Sequence, residues 1–263
     1  MMPALAARAA QLRALHAARW PLVLPNAWDA GSARAVVAAG FPVVATTSGG
    51  VALALGWADH EQTPPDEMFA AIWRMARAVD VPVTADIEAG YGLGPEEVAE
   101  RLLAAGAVGC NVEDTDHRGS GLRDAERHAA WLAAFKAATR AAGVDVVLNA
   151  RLDVFIRQIG PPAARLEETL RRAHLYLAAG ADCLYPIGVA DEQDITALVA
   201  QLEAPVNAMV FPKGPPLQRL RELGVRRISF ATGLYRSTMA DFAQRVATIS
   251  AELESTSVGL RGE

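Results

Sequence analysis

One pattern recurs along this chain and limits what it can fold into: a helix-favouring stretch closed by glycine and followed at once by a short apolar run. It occurs at Ala38-Ala39-Gly40-Phe41, Ala104-Ala105-Gly106-Ala107, Ala141-Ala142-Gly143-Val144, Ala178-Ala179-Gly180-Ala181 and Glu222-Leu223-Gly224-Val225. Glycine at that place permits the left-handed residue that ends a helix and turns the chain into a strand. Gly106, Gly143 and Gly180 stand 37 residues apart, about the length of one strand–helix unit. The apolar runs predict strands at 22–27, 43–48, 82–87, 107–113, 146–152, 183–187, 205–210 and 227–231. They are near-continuous rather than alternating, as parallel strands covered on both faces require. Between them, Gly94-Pro95-Glu96-Glu97 reads as a helix start, and Glu167/Arg171 and Glu168/Arg172 are i,i+4 pairs on a further helix. This alternation predicts a closed (β/α)8 barrel of the TIM type, with a doubly wound sheet as the alternative. The expected organisation is one domain over 1–263, with an N-terminal helix at 1–20 and a C-terminal helical segment at 234–263.

Composition narrows the class. Hydrophobic residues make up 52% and aromatic residues 6%, so a large core is available and must be built mainly from Ala, Leu and Val. A net charge of −5, with lysine only at positions 136 and 213, leaves no basic stripe for nucleic acid. Cys110 and Cys183 lie in apolar runs and read as two buried thiols. Residues 1–28 carry arginines and no acid before Asp29 apart from the helix pattern Leu5, Ala9, Leu12 and Leu15, which reads as an ordinary helix rather than a targeting segment. The uncharged stretch around Val43 is interrupted by Pro42 and Thr46-Thr47-Ser48-Gly49-Gly50, so no membrane span is expected. A cytoplasmic protein is the resulting expectation.

Unusual polar residues collect at the C-terminal ends of the predicted strands, where barrels of this type place their chemistry. The second ends in Thr46-Thr47-Ser48-Gly49-Gly50 and the third in Asp86-Ile87-Glu88-Ala89-Gly90-Tyr91-Gly92. The fourth ends in Asn111-Val112-Glu113-Asp114, the fifth in Asn149-Ala150-Arg151-Leu152-Asp153, and the seventh carries Asn207. Asp86, Glu88 and Glu113, with Asp59 or Asp114 as a further member, would converge on one space. Crowded carboxylates repel unless a cation or proton neutralises them. Oxygen donors without His or Cys favour a hard ion such as Mg2+; the competing reading is a salt-bridge network centred on Arg151. Arg151 suits a carboxylate or enolate oxygen through its planar donor fork. The turn at 47–50 can offer backbone N–H groups to an anionic oxygen, or be a plain tight turn. Among the histidines only His117, four residues after Glu113 in a loop, is a candidate acid–base group, with Tyr91 beside it as a second.

The Asp86–Gly92 segment, Val112-Glu113-Asp114, Ala150-Arg151 and the Thr47-Ser48-Gly49-Gly50 turn resemble the isocitrate lyase/phosphoenolpyruvate mutase superfamily, in order from about Leu24 to Arg236. The resemblance implies that Asp86 ligates Mg2+ directly while Asp59, Glu88 and Glu113 hold its waters. It implies that Thr47, Ser48 and Gly49 bind the substrate carboxylate and oxyanion, that Arg151 stabilises an enolate, and that Asn207 contacts a far carboxylate. It also implies homodimers or homotetramers with the last helices exchanged between subunits. Two departures stand out. The lyases' cysteine-bearing loop after strand four reads here Asp116-His117-Arg118-Gly119-Ser120-Gly121-Leu122-Arg123, and strand six ends in Tyr185-Pro186-Ile187, without the lyases' glutamate or the mutase's histidine. The expected activity is a Mg2+-dependent carbon–carbon lyase or decarboxylase acting on a small 2-oxo or 2-hydroxy (di)carboxylate. A carbon–phosphorus enzyme on phosphonopyruvate-like substrates and a catalytically degenerate 2-oxo acid binder are the rivals.

Overall fold

A computed structural model describes residues 2–212 and 214–259, with side chains to 254; the last four residues of the expected C-terminal segment lie outside the described residues. The strands are β1 (Leu22–Leu24), β2 (Asn26–Ala27), β3 (Val44–Thr46), β4 (Val83–Asp86), β5 (Gly109–Glu113), β6 (Val147–Leu152), β7 (Cys183–Pro186), β8 (Asn207–Met209) and β9 (Arg227–Ser229). All pair in parallel, in the orders β2-β3-β4-β5-β6-β7 and β1-β9-β8. A parallel bridge between Leu184 and Val206 joins β7 to β8. Pro25, which has no N–H to donate, divides the predicted first strand into β1 and β2. The segments thus occupy the eight positions of a (β/α)8 barrel, as the chain's periodicity requires.

All five helix-ending glycines, Gly40, Gly106, Gly143, Gly180 and Gly224, have φ between 81° and 98°, the conformation that a side chain would make costly. The helices they close include α2 (Ala30–Ala38), α5 (Pro95–Ala104), α6 (Ala125–Ala141), α7 (Pro162–Ala178) and α9 (Leu217–Glu222). Outward strand positions such as Ala85, Val112, Leu148, Ala150 and Leu184 are buried in the hydrophobic core. The inward positions are more polar than an Ala/Leu/Val interior would predict. Asp86, Asn111, Asn149 and Cys183 share one register row, and Glu113, Arg151 and Tyr185 the next towards the strand ends. Asn111 Oδ1 accepts from Asn149 Nδ2 (2.8 Å) and from Arg227 Nη2 (3.0 Å), deep in the ring.

The opposite end is stopped by α1 (Met2–His16), which buries Leu5, Ala9 and Leu12. Arg13 pairs with Asp145 and Asp182, which stand just before β6 and β7, and the buried Lys136 ammonium reaches both carboxylates (2.7 and 2.9 Å). His16 donates from Nδ1 to the Leu12 carbonyl (2.9 Å), leaving Nε2 to face Arg227 Nη1 (3.4 Å). Burial and then the Arg227 charge push its pKa down to about 4. His128, on α6 and edge-on to Tyr176 (5.1 Å), is pushed down to about 3 by burial, then by Arg123 and Arg172.

Both imidazoles are therefore neutral in the fold and charged in the unfolded chain below about pH 6.5. The unfolded state binds the extra proton, so their contribution is fully present above about 6.5 and is lost as pH falls towards 4 and 3, at ~1.4 kcal/mol per pH unit for each. The expected outcome is that His128→Leu makes the fall in melting temperature between pH 6.5 and 4 shallower than in the wild type. Parallel curves from calorimetry at matched ionic strength would refute a buried neutral His128.

Candidate active site

The mouth is built from strand ends. Thr47 follows β3 and caps α3 (Ser48–Leu55): its side chain accepts from Gly50 N (3.3 Å) and meets Thr232 Oγ1 (3.1 Å). The glycine-rich segment is thus the first turn of a helix rather than a free tight turn, because a capping threonine satisfies one of its amides. Ser48 gives both its backbone N–H (3.1 Å) and its hydroxyl (2.8 Å) to Asp86 Oδ2. Gly49 is required by close approach: a Cβ there would stand 2.5 Å from Asp59 Oδ2 and 2.7 Å from Thr232 Oγ1. Asp59, on the loop after α3, also accepts from His60 N (3.0 Å) and sits at the rim.

Asp86 ends β4, and its Oδ1 is buried with no hydrogen-bond partner. Burial raises its proton affinity, opposed by Arg151 and the two Ser48 donors. Beyond it the chain turns through positive φ at Glu88 (48°) and Tyr91 (57°), uncommon for residues with side chains. That turn brings Glu88 back into the mouth, where Oε2 accepts from Glu61 N (2.6 Å) and Oε1 from the Tyr91 hydroxyl (3.1 Å). Glu61 in turn accepts from Tyr91 N (2.5 Å). Burial, then Glu113, Asp86 and Asp59, push Glu88 up to about 9.

Glu113 ends β5 and lies between two cationic partners. Its Oε1 meets His117 Nε2 (2.6 Å) and its Oε2 meets Arg151 Nη1 (2.5 Å). Burial raises its proton affinity, with Arg151 opposing. Burial disfavours a charged His117, but the Glu113 hydrogen bond and charge outweigh it and leave the ring with a raised pKa. Arg151 also grips Asp153 through Nε (2.7 Å) and Nη2 (2.9 Å). The network centred on Arg151 is therefore real; its direct ion pairs are with Glu113 and Asp153, and Asp86 feels its charge without pairing to it. Glu88 and Asp86 remain outside it.

Glu88, Glu113 and His117 bring ligand atoms within 4.8 Å of one another. An oxygen-only donor set was the expectation; the β5–α6 loop adds an imidazole, because it folds back at Thr115–Leu122 and returns His117 over Glu113. Asp114 does not join the cluster. It faces outward to Arg172 (3.1 Å) and Tyr176 (2.8 Å). Two acidic groups held close, an imidazole and an unpartnered buried carboxylate oxygen on Asp86 fit a divalent cation, since such a cation relieves the repulsion that otherwise keeps a proton on Glu88.

Asn207 stands four strand positions round the ring from Asp86. It is fully buried, its Oδ1 accepts from Ser229 Oγ (3.3 Å), and its Nδ2 has no partner. Sequence reasoning missed Glu61 and Thr232, and it placed Asp153 at a strand end and Arg118 on a loop without giving either a partner. Asp153 was open to discovery, because strand alternation puts it on the face of Arg151. Arg118 lies across the Gly90–Gly92 turn, its guanidinium filling the space a Cβ on Gly92 would take.

A parallel barrel whose acidic mouth can hold a divalent cation beside a fixed arginine defines a class of enzymes that act on small carboxylates. The phosphoenolpyruvate phosphomutase family matches residues 12–250, and the chain belongs to it. With that family it belongs to the isocitrate lyase/phosphoenolpyruvate mutase superfamily of lyases and mutases. A solved structure from Burkholderia cenocepacia J2315, provisionally called a phosphonomutase, shares 44% identity and a TM-score of 0.86 over 91% of this chain and 99% of that one. A chloroplastic carboxyvinyl-carboxyphosphonate phosphorylmutase of Arabidopsis thaliana is 31% identical over 83% of this chain and 68% of its own. An oxaloacetate decarboxylase of Rhodopseudomonas palustris (strain BisB5) is 31% identical over 69% and 63%.

Saturating Mg2+ is expected to stabilise the fold by ~2.7 kcal/mol at a free concentration 100 times its Kd, read as a rise in melting temperature. Glu113→Gln and Asp86→Asn should each diminish that rise. An equal rise in all three proteins would show that the ion binds elsewhere.

Proposed function

We propose that this chain is a Mg2+-dependent carbon–carbon lyase or decarboxylase for a small 2-oxo or 2-hydroxy (di)carboxylate. The observation that carries this reading is the buried, unpartnered Asp86 Oδ1 in a mouth where Arg151 presents a guanidinium edge. Asp86, Glu88, Glu113 and Asp59 would hold the ion directly or through its waters, with His117 at the edge of the cluster. When bound, Mg2+ supplies positive charge that draws electrons towards a carboxylate and its neighbouring oxygen.

The residues divide the remaining work. Thr47, Ser48 and Gly49, at the start of α3, receive the substrate carboxylate, the Gly49 amide directly, since the Ser48 amide is given to Asp86 and the Gly50 amide to Thr47. In a 2-oxo diacid the bond between C3 and C4 breaks, carbon dioxide leaves, and the electron pair moves through C2–C3 onto the C2 oxygen. Arg151 stabilises the enolate oxygen so formed. The proton that returns to C3 comes from water or is guided by His117 or by Tyr91, whose hydroxyl is held on Glu88. Asn207 Nδ2 orients the distal group. Neither cysteine lies on the β5–α6 loop, where the lyases carry theirs: Cys110 and Cys183 are buried in β5 and β7.

A carbon–phosphorus reading is favoured by one specific observation, the Arg118 guanidinium across the Gly90–Gly92 turn, which would add a second cation for a phosphonyl group. The two readings separate in one assay panel with Mg2+. Oxaloacetate and substituted malates should turn over, phosphonopyruvate should not, and EDTA or Arg151→Met should remove ~10²–10³-fold or more of the rate. Isocitrate and 2-methylisocitrate should run ~10²–10⁴-fold below a dedicated lyase, the size of a missing acid. Consumption of phosphonopyruvate alone would transfer the assignment to the carbon–phosphorus bond. Tight binding of 2-oxo acids without any turnover would mark a degenerate binder.

The same reading takes residues 1–263 as one unit that works in the cytoplasm as a homodimer or homotetramer. No described helix is long and apolar enough to cross a membrane. Support for assembly comes from α10 (Gly233–Gly259), where Met239, Phe242, Val246 and Ile249 recur at alternating steps of three and four and are 43–58% exposed. Such a stripe is the seam of paired helices, and exchange of α10 between subunits would cover it. Phe242→Glu with Ile249→Glu should reduce the sedimenting species to a monomer; an unchanged oligomer would place the interface on another face.

A further inference from the structure

Two buried acids at the mouth, Asp114 and Asp153, take no part in the steps above, yet both are fully committed. Asp153 holds Arg151 by a fork of two bonds, Nε to Oδ1 (2.7 Å) and Nη2 to Oδ2 (2.9 Å). Its Oδ2 also accepts from the Thr115 hydroxyl (2.5 Å), at the root of the loop that carries His117. Its backbone N–H is fixed by Asp114 Oδ1 (2.8 Å). Asp114 Oδ2 in turn accepts from Arg172 Nη1 (3.1 Å) and the Tyr176 hydroxyl (2.8 Å), both on α7. Arg172 is itself anchored to Glu168 (2.7 Å) and the Arg123 carbonyl (3.0 Å).

A planar guanidinium gripped along one edge can turn about no axis without breaking a bond. With Nε–H and one Nη2–H taken, the opposite edge is left for the mouth, and its Nη1 is the nitrogen that faces Glu113. We propose that Asp153 is a positioning residue. It fixes the direction of Arg151 Nη1, and through Thr115 it ties that direction to the seating of the 115–122 loop. Asp114, Arg172 and Tyr176 form the fixed post from which Asp153 is hung. The proposal rests on the reading of Arg151 as the oxyanion-stabilising group.

The test uses the full chain with Mg2+ and oxalate, a planar dianion, as the binding probe. Asp153→Asn keeps the shape, but its amide offers a donor where Arg151 needs an acceptor. The expected result is a fall of about 10–100-fold, the usual cost of removing a partner that orients a site residue, in oxalate affinity and in kcat on any substrate turned over, with KM changed much less. Thr115→Val should act in the same direction and more weakly. In a double-mutant cycle with Arg151→Met, the Asp153→Asn change should add nothing, because its effect passes through the arginine. Multiplying effects would overturn the proposal. A second readout needs neither ligand nor turnover: the Arg151 Nε–H resonance, assigned by its loss in Arg151→Lys, should exchange slowly in the wild type and fast in Asp153→Asn. A fast-exchanging Nε–H in the wild type would overturn the proposal by itself. Slow Nε–H exchange with no oxalate binding and no turnover would instead retire the functional reading, leaving the grip of Asp153 on Arg151 intact.

Discussion

Acidic groups crowded at one end of a barrel repel one another in a medium that screens charge poorly, and the rest of the mouth is arranged around that repulsion. Asp86, Glu88, Glu113, Asp114 and Asp153 arrive there on three strand ends. Each finds a different remedy. Asp114 and Asp153 are matched by Arg172 and Arg151 and by hydroxyl or amide donors. Glu113 divides itself between Arg151 and His117. Asp86 leans on the first turn of α3 through Ser48. Glu88 is paired with no arginine among the described residues, and burial with the neighbouring carboxylates pushes its pKa up to about 9. The unbalanced part is local, and it lies where a doubly charged ion would do the most to lower the energy.

The ring below the mouth carries charge of the other sign. Arg227 is buried across the barrel interior, bonded to Asn111 and beside His16, and among the described residues it has no ion pair. Burial lowers its proton affinity, which is the expected cost of a cation without a partner. Asn111 couples it to the row that contains Asp86. The stopper helix α1 thus supports the site from behind as well as covering the core, since His16 accepts from the same guanidinium.

How much of this could be read from the residues alone follows from how local each signal is. The glycine-ended helices and continuous apolar runs are short-range patterns, and they gave the order and position of the strands. The polar strand ends were equally legible, because alternation and a parallel ring leave them one place to go. The split at Pro25 is legible as well, since proline has no N–H to give the ladder. Glu61 was not legible: it reaches Glu88 from a loop in which His60 and Glu61 both take positive φ, and no residue type announces that. Nor was the outward turn of Asp114, whose partners Arg172 and Tyr176 lie 58 and 62 residues away. His117 fell between: its spacing from Glu113 was visible, while the fold-back that sets ring against carboxylate was not.

Gly49 shows how little room that arrangement has. Three stretches of chain meet there, the start of α3, the loop bearing Asp59 and the segment leading into α10, and a Cβ at Gly49 would stand within 2.7 Å of side-chain atoms from the other two. Charge elsewhere in the mouth can be redistributed by a proton; at this point an added methyl group is taken up only by moving Asp59 and Thr232, the two side chains that press on it. One methyl group would press on the Asp59 carboxylate and on the Thr232 hydroxyl, which meets Thr47. The tolerance of this enzyme to drift in sequence is therefore set at such a junction by size as well as charge, and a substitution that looks the mildest on paper there displaces two side chains of the rim.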